Sequence, residues 1–275
     1  MHPILNIAIR AARKTGILMM KIYENLDALN INQNYYIISH MIKKSEQILI
    51  DMIHQYYPQH EIIFNLSEPL NVNQSNIQWI INPLNGIINF QKKLPHFAIV
   101  ISIRVKGKTE IALVYDFIRN ELFTAVRGQG TKLNGYRLHN NKTILKIKNL
   151  TNLLFATDLS AMTNDLKFNN YLKIITTLFR QGVNLRITGS DILDLAYVAA
   201  GRFDGYFKIG KNMMPISSLI CGKLLIRESG ALLIDNGDDK QESHDNIIAG
   251  TTPHILKFLI KVFKNDENSN FEISN

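Results

Sequence analysis

The sequence predicts a mixed α+β fold, and three patterns carry that prediction. Two amphipathic helical stretches open the chain. Three consecutive segments rich in β-branched and aromatic residues lie between His96 and Val126. After about residue 150, short strand-like runs alternate with helical ones. The first sheet is therefore expected to be largely antiparallel, and the second half to be α/β in character.

Residues 3–23 read as a helix, because Ile4, Ile7, Ala8, Ala11, Ala12 and Leu18 fall near one face. Residues 30–37 are polar, then aromatic, and read as a loop or hairpin. A second helix is expected over 41–57, stopped by Tyr57-Pro58-Gln59-His60. Glu61 to Phe64 is a short strand, 67–76 a polar loop, and Trp79 to Ile81 another strand, ended by Asn82-Pro83. Asn85-Gly86 is a turn dipeptide. Strands follow at His96–Val105, Glu110–Tyr115 and Glu121–Val126, the first two joined by a hairpin turn at Lys106-Gly107-Lys108-Thr109. Arg127 to Gly130 and Asn134-Gly135 supply further turns.

In the second half, strands are expected at 153–157, 185–187, 203–209, 231–234 and 246–249. Helices are expected at 169–180, 191–200, 217–228 and 253–263. Ser190 or Asp191 suits the N-cap of the helix that stops at Gly201. The chain divides softly near 140–150, into an N-terminal half (1–145), a C-terminal half (146–265) and a polar tail (266–275) expected to fray.

The chain has 275 residues, with 46% hydrophobic and 20% charged residues, which is ordinary for a globular protein. Cys221 is the only cysteine, so no internal disulfide can form, and a reducing, cytoplasmic setting is expected. Arg10, Arg13 and Lys14 sit inside the first amphipathic repeat, unlike a cleaved signal. No apolar run approaches the ~20 residues of a spanning helix, so no membrane is expected. The net charge of +8 favours acidic partners such as RNA. Heavy use of Ile, Asn and Lys gives a competing compositional origin for that charge. It is also scattered, with no long basic run.

The most informative stretch is Trp79-Ile-Ile-Asn-Pro-Leu-Asn-Gly-Ile-Ile-Asn-Phe90. It resembles the Asp-Pro-Leu-Asp-Gly-Thr motif of the inositol monophosphatase family, with both acids changed to amides. Leu122–Gly130 with Leu133-Asn-Gly135, and Thr188–Ser190 with Asp194–Arg202, also match that family. The resemblance spans nearly the whole chain. It is nearest the bacterial SuhB branch, whose members double as Nus-type factors in ribosomal RNA transcription. The resemblance implies a five-layer αβαβα sandwich and a homodimer.

In the family, the motif's two aspartates and a backbone carbonyl hold Mg²⁺, and its threonine orients the attacking water. Those positions become Asn82, Leu84, Asn85 and Ile87, in the loop that also holds Gly86. The family's paired glutamates fall on Asn65 and Leu66. A further metal-site acid falls on Ile42 and a nearby lysine on Asn32. The last metal aspartate falls in 211–223, where Ser217 and Ser218 are the nearest polar candidates. The catalytic positions Asn65, Leu66 and Ile87 and the metal positions Leu66, Asn82, Leu84, Asn85 and Ser218 thus read as vestigial, with no cofactor expected. Mg²⁺ favours several converging carboxylates. At an effective dielectric near 20, one charge pair about 4 Å apart contributes ~4 kcal/mol before desolvation. Loss of several therefore removes more than ~10 kcal/mol of gross attraction. The apolar Leu66, Ile87 and Ile42 are expected to fill part of the cleft. As plain turn residues, Asn82, Asn85 and Gly86 need no ligand; residual ligand binding is the alternative.

Other candidate chemistry is weaker. His40, His54, His60 and His96 lack metal-ligand spacing and read as surface or packing residues. Asp191 and Asp194 share a helix, where capping and solvent exposure are expected. Gly128-x-Gly130 reads as a turn and Cys221 as buried and inert, while a polar anchor at a subunit contact is only the minority reading of Arg186. Three functions follow. One is a SuhB-like scaffold working with Nus-type factors, RNA polymerase and the ribosomal RNA leader. Another is a weak Mg²⁺-dependent inositol-1-phosphate phosphatase. The third is a decaying protein with no role beyond folding.

Overall fold

The computed structural model describes residues 2–26, 31–64, 76–138, 150–158, 165–209, 214–235 and 246–264. Asn65, Leu66, the 140–150 boundary, most of 67–76 and the tail after Lys264 thus lie outside the described residues, apart from Leu150 itself.

Helices α1 (Pro3–Asn25) and α2 (Ile31–Tyr56) form one outer layer. Proline at the first position suits α1, because its missing N–H has no helical partner there. At the other end, Lys93 Nζ donates to the carbonyls of Glu24 and Leu26, each at 3.2 Å, where positive charge complements the helix dipole. The expected loop at 30–37 is instead the start of α2. Asn34, Ile38, Met41, Ser45, Leu49 and Ile53 are buried at helical spacing, and the polar Asn34 and Ser45 disguise that stripe. The Ser45 hydroxyl is satisfied within the helix by the Met41 carbonyl at 2.8 Å.

The first sheet has seven strands in chain order: β1 (Glu61–Phe64), β2 (Ile77–Asn85), β3 (Ala98–Val105), β4 (Lys108–Asp116), β5 (Glu121–Val126), β6 (Gly130–Leu133) and β7 (Tyr136–Arg137). Only β1 and β2 pair in parallel. Strand β2 does not end at Asn82-Pro83. Its pairing with β3 shifts between Asn82 and Asn85, and among the described residues β1 pairs only as far as Ile81, so no described strand demands a ladder N–H from Pro83.

Strands β3 and β4 are buried on both faces, and side-chain size sorts by face. Ile99, Ile101, Ile103, Ile111 and Leu113 face α1 and α2. The smaller Ala98, Val100, Ala112 and Val114 face inward. There they meet α5 (Asp191–Ala199) and α6 (Ile216–Ser229), the middle helical layer. The two helices approach closely: a Cβ at Gly222 would lie 2.3 Å from Leu195 Cδ1.

The second sheet has the order β11 (Leu232–Asp235), β12 (Asn246–Gly250), β10 (Gly205–Ile209), β8 (Leu154–Thr157), β9 (Asn184–Ile187). β8 pairs in parallel with both β10 and β9, while β12 runs antiparallel to its neighbours. Ala156, Tyr206 and Ala249 face the middle helices. Phe155, Phe207 and Ile248 face α4 (Asp165–Arg180) and α7 (Pro253–Lys264). Alternation along each strand thus builds three cores and five layers, αβαβα.

Candidate functional site

The irregular end of β2 enters the space between the first sheet and the middle helices. Asn82, Leu84 and Asn85 are all buried. Gly86 then takes a left-handed conformation (φ 89°) and leads into the one-turn helix α3 (Ile87–Gln91). A Cβ there would meet the His96 carbonyl at 2.9 Å, so this turn is reserved for glycine.

The amides are already engaged. Asn82 Oδ1 accepts the Leu84 N–H at 3.1 Å. The Ser190 hydroxyl donates to Asn85 Oδ1 at 2.7 Å, and Asn85 Nδ2 donates to Ser218 Oγ at 3.2 Å. Ser190 stands at the N-cap position of α5, yet its hydroxyl makes no cap. Ser218, not Ser217, reaches the site. Ser217 lends its carbonyl to Ser102 Oγ at 3.3 Å, and its own hydroxyl meets no partner among the described residues. Asn89 secures the rim by donating to the carbonyls of His96 and Thr188, both at 2.8 Å.

The apolar filling expected of Ile42 and Ile87 is not what these residues do. Ile42 packs on the outer core, and Ile87 is 42% exposed at the start of α3. Asn32 falls in the first turn of α2, and its side chain lies outside the described residues.

The acids of α5 also depart from expectation. Asp191 and Asp194 are buried, because α5 is enclosed between two sheets and even its first turn lacks solvent. The Lys208 ammonium donates to Asp158 Oδ2 at 2.6 Å and to Asp191 Oδ2 at 2.9 Å. Tyr206 Oη donates to Asp191 Oδ1 at 2.8 Å. Burial raises the Asp191 pKa against the pull of Lys208. Burial also works to lower Lys208, but Asp191 and Asp158 outweigh it and hold the lysine above its ordinary value. Asp194 lies 2.7 and 2.8 Å from the Thr188 hydroxyl and 3.4 Å from His96 Nε2. Its burial pushes the carboxyl up to about 6.

Sequence reasoning missed Lys208, Asp158 and Ser190 as parts of this network. A lysine within the apolar strand Gly205–Ile209 was the one available signal. Its partners lie 17 and 50 residues away and leave no local pattern. Cys221 is buried as expected, 3.6 Å from the Leu113 carbonyl, with its thiol pushed up to about 12 by burial. His60 is a packing residue that accepts Trp79 Nε1–H at 3.0 Å and stacks on Tyr57. Arg186 is exposed.

The Mg²⁺ implied by the resemblance would have to be held by these donors. The oxygens of Asn82 and Asn85 are neutral and each accepts an internal hydrogen bond, and Ser218 is neutral. Among the described residues, no group of three or more His, Cys, Asp and Glu is placed to hold a metal. This donor set does not fit a hard divalent cation.

Comparison with known proteins places these features. The model of the inositol monophosphatase family matches residues 1–267. Nus factor SuhB of Escherichia coli K12 is 43% identical over 263 residues, covering 94% of this chain and 95% of that protein. Nus factor SuhB of Buchnera aphidicola subsp. Baizongia pistaciae is 42% identical over 266 residues, covering 95% and 97%. The solved structure of the extragenic suppressor protein SuhB of Bartonella henselae superposes with a TM-score of 0.79 at 28% identity, covering 96% of this chain and 99% of that one. The inositol monophosphatase of Thermotoga maritima, at 22% identity and a TM-score of 0.75, shares the fold. No described helix is long and apolar enough to cross a membrane.

Proposed function

The chain belongs to the inositol monophosphatase family, and we propose that it serves there as a non-catalytic SuhB-like scaffold. In this reading it is a cytoplasmic Nus-type factor. It acts with other Nus factors, RNA polymerase and the ribosomal RNA leader in antitermination and ribosome biogenesis. The observation that carries the reading is the hydrogen-bonded chain from Ser190 through Asn85 to Ser218. Every polar atom of the Asn85 side chain is spent on a neighbour, and no carboxylate takes part. Such a site offers no strong hold on a metal and no activated water. The Nus role is supported by relatives that carry that name over nearly their whole length. Homodimerisation is supported by an exposed apolar stripe on α4, with Phe168, Leu172 and Phe179 at helical spacing, and by the exposed Ile187 on β9, the end strand of the second sheet among the described residues.

Calorimetric titration with Mg²⁺, paired with phosphate release from inositol 1-phosphate, tests the loss of chemistry. The expected result is neither binding nor release at millimolar Mg²⁺. Binding with turnover overturns the reading in favour of a phosphatase. Capture of RNA polymerase and Nus factors by the tagged chain tests the scaffold role, and failure to capture either removes it.

A further inference from the structure

We infer that the outer face of α1 is a docking surface for the phosphate backbone of single-stranded RNA. The choice of RNA rests on the scaffold reading above; the choice of surface rests on the helix itself. Positive charge that looks scattered along the chain is gathered by folding. At 100° per residue, Arg10, Lys14, Ile17 and Lys21 fall within an arc of about 60°, with Arg13 beside them. All five are exposed. From Arg10 to Lys21 the stripe extends about 16 Å along the helix. The helix contains no acid before Glu24.

Several other basic residues are held by carboxylates within the fold. Arg119, Arg127, Arg202 and Lys208 each face a carboxylate, on Asp116, Glu110, Glu121 and the Asp158–Asp191 pair. Among the described residues, none of the four α1 cations is ion-paired. Arg10 instead lies against the half-exposed ring of Tyr56, 5.5 Å from its centroid, and donates to its hydroxyl at 3.2 Å. Lys43 and Lys44 are exposed on the neighbouring α2. A row of cations with no carboxylate partner among the described residues, an aromatic ring at one end and an exposed Ile17 within it suits a strand that presents phosphates and unstacked bases.

The test is fluorescence anisotropy of a labelled 20-nucleotide poly-U RNA with the full chain, from 50 to 200 mM NaCl. Four phosphate contacts on a single strand give a slope of about −2.8 in log K against log salt, or about fifty-fold weaker binding over that range. The variant Arg10→Gln/Arg13→Gln/Lys14→Gln/Lys21→Gln is expected to lose most of that slope. Arg10→Lys/Arg13→Lys, which keeps the charge, is expected to retain it. Lys257→Gln/Lys261→Gln, on the exposed face of α7 in the opposite outer layer, is expected to change little. An unchanged slope in the fourfold variant, an equal loss per charge in the α7 variant, or no RNA binding by the unaltered chain overturns the inference. Loss of captured RNA polymerase or Nus factors with unchanged RNA affinity makes α1 a protein-docking face and also overturns it. Capture by both the unaltered chain and the fourfold variant leaves the scaffold reading standing whatever the RNA result.

Discussion

Asp194 sets a pH dependence that an asparagine should abolish. The carboxyl is 1% exposed, with the Thr188 hydroxyl against both oxygens, His96 Nε2 at 3.4 Å, and Asp191 near enough to act on its charge. Burial is the dominant influence and raises its pKa from 3.8 to about 6. The folded protein therefore keeps a proton that the unfolded chain releases. The stabilisation is complete below the unfolded value and is lost as pH rises through about 6. A shift of roughly 2 units at 1.36 kcal/mol each is ~3 kcal/mol. Asparagine has no proton to lose and can still accept from Thr188. The unfolding free energy of Asp194→Asn minus that of the unaltered protein should thus rise by ~3 kcal/mol between pH 3 and pH 7. Urea unfolding followed by circular dichroism measures it, and the difference cancels the other titrating groups. With a slope near 3 kcal/mol/M the relative midpoint moves by about 1 M. Repeating the pair in a His96→Gln background separates the imidazole's share. A difference that stays flat, or falls, with pH would refute burial as the cause.

Lys208→Met leaves Asp158 and Asp191 facing each other without their cation, and should cost about 3–5 kcal/mol at pH 7. Adding Asp158→Asn and Asp191→Asn should recover most of that in the same thermal melts, and no recovery would count against the charge argument. Gly86→Ala forces a side chain into a left-handed turn against the His96 carbonyl, and should cost about 1–3 kcal/mol, read by urea midpoint. Cys221 is fully buried with its thiol raised to about 12, so iodoacetamide should label it at pH 8 only in denaturant. Labelling of the folded chain at a rate near that of free cysteine would show that α6 opens.

The strands of the first sheet could be read in the sequence because their β-branched residues are continuous and their turns carry glycine and asparagine. β3, β4 and β5 fall within a few residues of expectation. The start of α2 could not be read, since two of its buried positions are polar and satisfied only by folding. Pro83 misled for a related reason. It removes an N–H, which ends a strand only where a neighbour asks for that N–H, and among the described residues β1 pairs with β2 only as far as Ile81. The amides at Asn82 and Asn85 stood out through the motif that surrounds them. The partners of Asn85, Ser190 and Ser218, lie 105 and 133 residues away, so no local period could reveal the network. The same holds for Lys208, whose burial is set by the sheet on one side and α5 on the other.

Those distant partners solve one electrostatic problem. A cleft enclosed by two sheets cannot hold several carboxylates without a cation, because each desolvated charge costs several kcal/mol unless it is paired. This chain carries neutral side chains at Asn82, Asn85 and Ser218 and supplies a fixed cation, the Lys208 ammonium, to Asp158 and Asp191. Its stability should then be indifferent to Mg²⁺, with no change in melting temperature between 10 mM Mg²⁺ and excess chelator. The variant Asn82→Asp/Asn85→Asp/Ser218→Asp reverses the condition. Without metal, its clustered carboxylates should melt it earlier. With 10 mM Mg²⁺ and a dissociation constant near 1 mM, binding to the folded state alone returns about 1.4 kcal/mol, or roughly 3–6 °C. If Mg²⁺ raises the melting temperature of the unaltered chain instead, the hydrogen bonds around Asn85 give way to a metal, and the case for an engaged, metal-free site fails at its first premise.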